Sequence, residues 1–326
     1  MSKLRESPVS KETIQSIIES DLEVPAGVDP SDLLPGLLEL LGSTDAYLRE
    51  NSLEILWSWG HAGTFTDEQL IQIGEQTASN LAVGLGESGT DSVFLRAFSA
   101  LILGMVLRLD QLCEMKLMEG RAAFLDAPHV RRWFDRALQS LEGENDLRGY
   151  TQACGWAHAV AHMGDALFYF SRSRHLAAPE LQRMLDTIAD RMIRPTDSIF
   201  AFDEDNRLMR SVYLALLRDE VSVEALSAWI ERLAHTPEGE KWGSVFGLEH
   251  CDHRATNARM NARSFLRSLY LLILIGMRGS EDSQRDLKPY FELLDREVPQ
   301  RDALLSIVLE AVMSMNRSLY RANPPT

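Results

Sequence analysis

Asp29-Pro-Ser-Asp-Leu-Leu-Pro-Gly-Leu-Leu-Glu-Leu-Leu41 is the stretch on which the fold class turns. Leu33, Leu34, Leu37, Leu38 and Leu41 recur at spacings of three and four, which is the period of one helical face. Pro35 lies inside this pattern but near its start, where proline is tolerated. Thr13, Ile14, Ile17 and Ile18 show the same period upstream. Helix-start signals recur downstream. Ser10 precedes Lys-Glu-Thr, Ser31 follows Asp-Pro, and Thr66-Asp-Glu-Gln, Asp126-Ala-Pro and Ser222-Val-Glu-Ala each open an apolar-periodic run. Prolines fall mostly between the runs, and alternating strand patterns are nearly absent. The expectation is an all-α protein of about a dozen helices joined by short polar connections, a layout that favours antiparallel neighbours. The helix pairs recur at roughly 40 residues, as in HEAT-like or α/α helical-repeat architectures, without a repeated residue signature.

No long Gly/Ser/Pro linker divides the 326 residues, so one all-helical domain over 1–326 is expected. Residues 235–256 mix Pro, Gly and charge and read as a long loop, and 321–326 as a tail. The formal net charge of −15 opposes a phosphate backbone at long range, which argues against general nucleic-acid binding. Cys113, Cys154 and Cys251 are few and far apart, which suits a reducing cytoplasm. Met1 to Thr13 is polar and lacks the apolar core of a signal peptide. Leu269 to Met277 is the longest strongly apolar run. It is too short for the roughly 20 residues a membrane span requires, so it reads as the interior of a buried helix.

The chemistry is concentrated in Gly155-Trp-Ala-His-Ala-Val-Ala-His-Met-Gly-Asp165. On a helix, His158, His162 and Asp165 stand at i, i+4 and i+7 and share a face. Two imidazoles and a carboxylate can bind a divalent metal. An imidazole beside a carboxylate can act as a general base. The surrounding alanines equally suit a buried hydrogen-bonding strut. Neither the zincin HExxH motif nor an adjacent His-Asp pair is present. Glu249-His-Cys-Asp-His253 could complete a metal site, with His250 or His253 as the fourth group, or be a solvated loop.

Gly86 to Arg96 places Thr90 or Asp91 as helix cap and Arg96 among Phe94, Phe98, Leu101 and Ile102. A partly buried arginine there needs an acidic partner or an anionic ligand. Arg259, Arg263 and Arg267 form a basic stripe at i, i+4 and i+8, with Asp203, Glu204 and Asp205 as candidate internal partners. No G-x-S-x-G, P-loop or dinucleotide fingerprint occurs.

Several segments together resemble the bacterial domain-of-unknown-function family DUF2785. They are Gly89 to Ser99, Asp146-Leu-Arg-Gly-Tyr150, Gly155 to His162, Asp203 to Leu208 and Ser264 to Tyr270. The resemblance runs from about residue 20 to about residue 280 and departs from the usual pattern at Cys154 and Met163. It implies a helical fold and carries no established activity. The residues themselves point to a cytoplasmic binding or interaction protein. Its polar pocket is expected around His158, His162 and Asp165, with Trp156, Arg96, Asp91 and Arg267 nearby. It would take a small polar ligand or a protein partner. The alternative is a metal-dependent hydrolase using the same face.

Overall fold

Residues 9–245, 251–277 and 288–316 are described by the structure, a computed structural model. The chain separates into two compact units, residues 1–175 and 176–326. The division falls in the short connection between α7 and α8, where no linker composition marks it. The first unit holds α1 (Lys11–Glu19), α2 (Pro30–Leu40), α3 (Ala46–His61), α4 (Asp67–Asn80), α5 (Ser92–Glu114), α6 (Ala127–Gly143) and α7 (Ala159–Arg172). A two-stranded antiparallel hairpin, β1 (Tyr150–Thr151) and β2 (Gly155–Trp156), precedes α7. The second unit holds α8 (Ala178–Ile193), α9 (Glu204–Leu217), α10 (Val223–Leu233), α11 (His253–Ile275), the single turn α12 (Phe291–Leu294) and α13 (Arg301–Met315). The protein is all-α apart from that hairpin and one isolated bridge, His235 to Lys241, among the described residues.

The start signals act as capping chemistry. Ser10, Thr66, Asp126 and Ser222 each accept a backbone N–H of the first turn, and Thr66 with Gln69 completes a reciprocal capping box. In α2 the cap is Asp29 rather than Ser31, and Ser31 supplies the N–H that Asp29 accepts. Pro30 then takes the first helical position, where its missing N–H costs nothing.

Helix α5 is the axis of the first unit. It packs against α3, α4 and α7, and nearly all of its 23 residues are buried. By length and composition it is apolar enough to cross a membrane, yet 83% of its apolar window is buried within the protein. Burying side chains such as Phe94, Phe98 and Leu103 stabilises by about 1.5–3 kcal/mol each. The polar groups on α5 find internal partners. Ser99 Oγ accepts Asn80 Nδ2 at 3.0 Å, Gln111 Nε2 donates to Tyr169 O at 2.7 Å, and Asp110 accepts the N–H groups of Phe124 and Leu125 at 2.8 Å each.

In the second unit α11 packs on α8, α9 and α13, and α10 packs on α8 and α13. The expectation that Leu269–Met277 is wholly interior is corrected here. Leu269 and Ile273 are buried, but Leu271, Leu274 and Ile275 are exposed. Only one face of α11 meets other helices, and an unbroken apolar run does not reveal which. Described parts of the 235–256 segment carry local structure. Thr236 to Lys241 forms a hydrogen-bonded turn, Trp242 is buried, and α11 begins at His253. Residues 246–250 and the 321–326 tail lie outside the described residues.

Packing in the first unit leaves no room beneath Trp133, whose ring lies on Gly74 of α4 so closely that a Cβ there would overlap it. Gly74→Ala should destabilise the protein by about 1–3 kcal/mol through overpacking, despite alanine's better helix propensity. A denaturant titration reads this as a lower midpoint, whereas an unchanged or higher midpoint would show that the contact yields.

Candidate functional site

The site grows from the loop between α6 and the hairpin. Arg96 on α5 is buried and donates twice to Glu144, Nε to Oε2 and Nη2 to Oε1, at 2.8 Å each. Its remaining nitrogen, Nη1, donates to Val83 O and Ser92 Oγ. Arg96 is therefore engaged in a buried ion pair, with all three guanidinium nitrogens bonded within the protein. Glu144 also accepts the Asp146 N–H at 2.9 Å. Asp146 in turn accepts Gly89 N at 2.9 Å and both Nε and Nη2 of Arg148. Nη2 of Arg148 also reaches Thr90 O at 2.6 Å. The bond to Asp146 is the main reason the Arg148 guanidinium is held above its ordinary pKa.

This belt fixes the backbone that follows. Arg148 O accepts His158 N and Gly149 O accepts Ala157 N, both at 2.9 Å. The hairpin lies between them, with Tyr150 opposite Trp156 and Thr151 opposite Gly155. Gly155 has φ +74, and a Cβ there would sit 3.2 Å from Arg49 Nη2. Glycine is needed both for the left-handed backbone and for the close approach of the guanidinium.

His158 is not helical. It takes the left-handed conformation, φ 55 and ψ 31, as the N-cap of α7, and the helix begins one residue later. His158 therefore stands at the cap of α7 and not inside the helix that the i, i+4, i+7 spacing assumed. The turn nevertheless brings the imidazoles together, because His158 O accepts His162 N at 3.0 Å and the ring centroids are 5.3 Å apart. Both histidines are buried, at 6% and 8% exposure, while Asp165 farther along α7 is half-buried. Among the described residues no group of three or more His, Cys, Asp or Glu side chains is arranged to hold a metal ion. A cavity beside the first turn of α7, lined by Arg96, Glu144, Ala159 and Met163, measures about 10 Å³ and is too small for an organic ligand.

The rings form a continuous ladder from surface to core. Tyr150 meets Trp156 edge-on at 5.2 Å, and Trp156 stacks on His158 at 4.8 Å. His162 meets Phe98 edge-on at 5.3 Å. The Arg49 guanidinium lies 4.4 Å from the Phe94 centroid and 4.8 Å from that of Phe98. Arg49 is fully buried and donates to Ser43 O at 2.7 Å and Cys154 O at 2.6 Å, while its Nε has no hydrogen-bond partner. Burial lowers its pKa, with Glu50, 3.6 Å away, only partly restoring it. Partial burial likewise raises the pKa of the Glu50 carboxyl, whose side chain stays 44% exposed.

Arg49, Phe98, Glu144, Asp146 and Arg148 were not singled out by spacing. Arg49 sits in an apolar helical stripe, as Arg96 does, and the same signal could have found it. The other predicted residues have local roles. Asp91 is exposed at the N-cap of α5 and makes no side-chain cap bond. Thr90 Oγ1 and Ser92 Oγ instead donate to Glu87 Oε2 at 2.8 Å. Asp252 caps α11, and His253 lies 3.2 Å from Asp197 at the surface. Cys251 is exposed, and Glu249 and His250 lie outside the described residues. Cys113, Cys154 and Cys251 are free thiols.

Arg267 belongs to the second unit, half-buried on α11. Its neighbours Arg259 and Arg263 donate to Asn316 Oδ1, and Arg259 also to Met315 O at 2.6 Å, at the C-terminal end of α13 where cations are favoured. Burial, then repulsion from Arg263 and Arg267, lowers the Arg259 pKa. Of the acidic trio, Asp205 accepts Ser264 Oγ, Glu204 accepts Phe202 N and Asp203 accepts Asn206 Nδ2.

The family pattern of DUF2785, described as a protein of unknown function, matches residues 81–271. The chain belongs to the DUF2785 family. The matched span covers α5, the Glu144–Arg148 belt, the hairpin and the histidine pair, and is narrower at both ends than residues 20–280. No curated protein and no solved structure matches the chain. DUF2785 membership thus brings no activity to the site.

Two outcomes follow for this DUF2785 chain. Arg96→Met should destabilise by about 3–5 kcal/mol, because it leaves the Glu144 carboxylate buried and uncompensated. The double variant Arg96→Met with Glu144→Leu should recover part of that loss in the same unfolding titration; strictly additive losses would exclude the coupling. Glu50 supplies a pH signature. Its folded pKa is raised, so the stability associated with its protonated form is present below the ordinary glutamate value of about 4.3 and is lost as pH rises through the folded value. Glu50→Gln should therefore melt higher than wild type at neutral pH, and the gap should close below that value. A variant that melts lower at neutral pH would show that the Arg49 attraction outweighs burial.

Proposed function

We propose that this chain is a cytoplasmic helical binding protein that engages a protein partner through its Tyr150–Trp156 hairpin. One observation carries the reading. Tyr150 and Trp156 remain 55% and 38% exposed although Trp156 is stacked on the buried His158. An aromatic pair held rigidly at the surface loses little conformational entropy on binding, and Tyr, Trp and Arg are the residues enriched at binding hot spots. Arg148, whose side chain is 35% exposed, stands beside them in sequence and is fixed by Asp146. In this reading His158 and His162 brace the surface from behind, and Asp165 and Arg267 take no part. A HEAT-like array of helix pairs, the finer architecture expected from the spacing, would suit such a role.

Immobilised full-length protein, wild type and the double variant Tyr150→Ala with Trp156→Ala, should be compared for capture from lysate of the source cells. At least one protein should be retained by wild type and depleted about 30-fold or more on the variant, as a hot-spot loss of about 2 kcal/mol requires. Melting curves should show that the variant folds. Identical capture by the two proteins would remove the hairpin from the binding surface.

A further inference from the structure

The second unit contains a cavity of about 370 Å³ between α10, the turn that follows it and α13. This volume lies within the range of small-molecule sites. Its floor is apolar: Ile230 from α10, Ala234 at the C-cap of that helix, Trp242 from the turn, and Ile307 and Ala311 from α13. The wall is preformed. Thr236 N donates to Glu240 O at 2.8 Å, His235 bridges to Lys241, and Trp242 Nε1 donates to Leu233 O at 3.2 Å. Little reorganisation is then needed to receive a ligand.

Four titratable groups line this space, beside the hydroxyls of Ser227 and Ser314. The side chains of Glu231, Glu310 and Lys241 make no hydrogen bond or ion pair among the described residues. The fourth is His235, whose Nδ1 lies 2.8 Å from the Glu231 carbonyl. A carbonyl can only accept, so Nδ1 carries the proton and Nε2 of the neutral ring is left as an acceptor. Two carboxylates and an imidazole nitrogen thus stand against a single ammonium. Such a lining complements a donor-rich cation whose body is apolar.

We propose that this cavity is a binding site for a small organic amine carrying an apolar body, with Glu231 and Glu310 receiving the ammonium group and Trp242 lying beneath the body. The site is independent of the hairpin in the first unit. Lys241 sets its selectivity by opposing a second positive charge.

The test uses saturation-transfer NMR titrations of the full chain with 4-phenylbutylamine and with 4-phenylbutyrate, which share the same body and differ in charge. The amine should bind saturably and the carboxylate should not. Glu231→Gln with Glu310→Gln should weaken the amine by about tenfold or more, as loss of charge-assisted hydrogen bonds requires, without changing the melting curve. Lys241→Glu should tighten it. Equal binding of the two probes, an unchanged constant in the double variant, or no saturable binding of the amine would each overturn the proposal.

Discussion

Arg96 and Glu144 form an ion pair taken almost wholly out of water, with side-chain exposures of 1% and 3%. Neither charge is tolerable there alone, so the start of α5 and the end of α6 must stay together. The constraint then passes along the chain by hydrogen bonds. Glu144 holds the Asp146 N–H, Asp146 holds Arg148 and the Gly89 N–H, and the carbonyls of Arg148 and Gly149 hold His158 and Ala157. The hairpin and the left-handed turn at His158 depend on this sequence of fixed groups. A left-handed histidine is unfavourable in isolation and persists because its surroundings over-determine it.

The two units differ in how their polar groups are employed. Around α7 the charged and aromatic groups are engaged with one another. Arg96 has its carboxylate, Arg49 has two carbonyls and two rings, and the histidines lie between Trp156, stacked on His158, and Phe98, edge-on to His162. What this region presents to solvent is the rigid aromatic edge. In the second unit the α10–α13 cavity keeps charged side chains over an apolar floor, and the His235 Nδ1 bond is directed back to the protein. The first arrangement suits recognition by a surface, and the second suits recognition in a concave, partly open pocket.

The fold was legible because it is written locally. Helical period and caps concern residues within four positions of each other, and Ser10, Thr66, Asp126 and Ser222 perform their expected bonds. The histidine pair was legible for the same reason, since a four-residue spacing survives even when the first member is the cap. The helical placement of His158 was over-read, because its left-handed backbone makes it the N-cap of α7 and not a residue of the helix. The apolar run in α11 was over-read differently, since composition does not say which face meets a neighbour.

By itself the sequence determined the helical class, the helix starts, the family resemblance and the neighbourhood of the two histidines. It also determined that Arg96 needs a partner. Only the tertiary structure decided that the partner is Glu144, 48 residues away, and that Arg49 reaches the Cys154 carbonyl 105 residues away. It alone stacked Trp156 on His158 and gathered Glu231, Lys241 and Glu310 around one cavity. The physical reason is that a buried charge fixes the requirement for a counter-charge but not its position along the chain. That position is set by which helices pack together, and many sequence separations satisfy the same requirement.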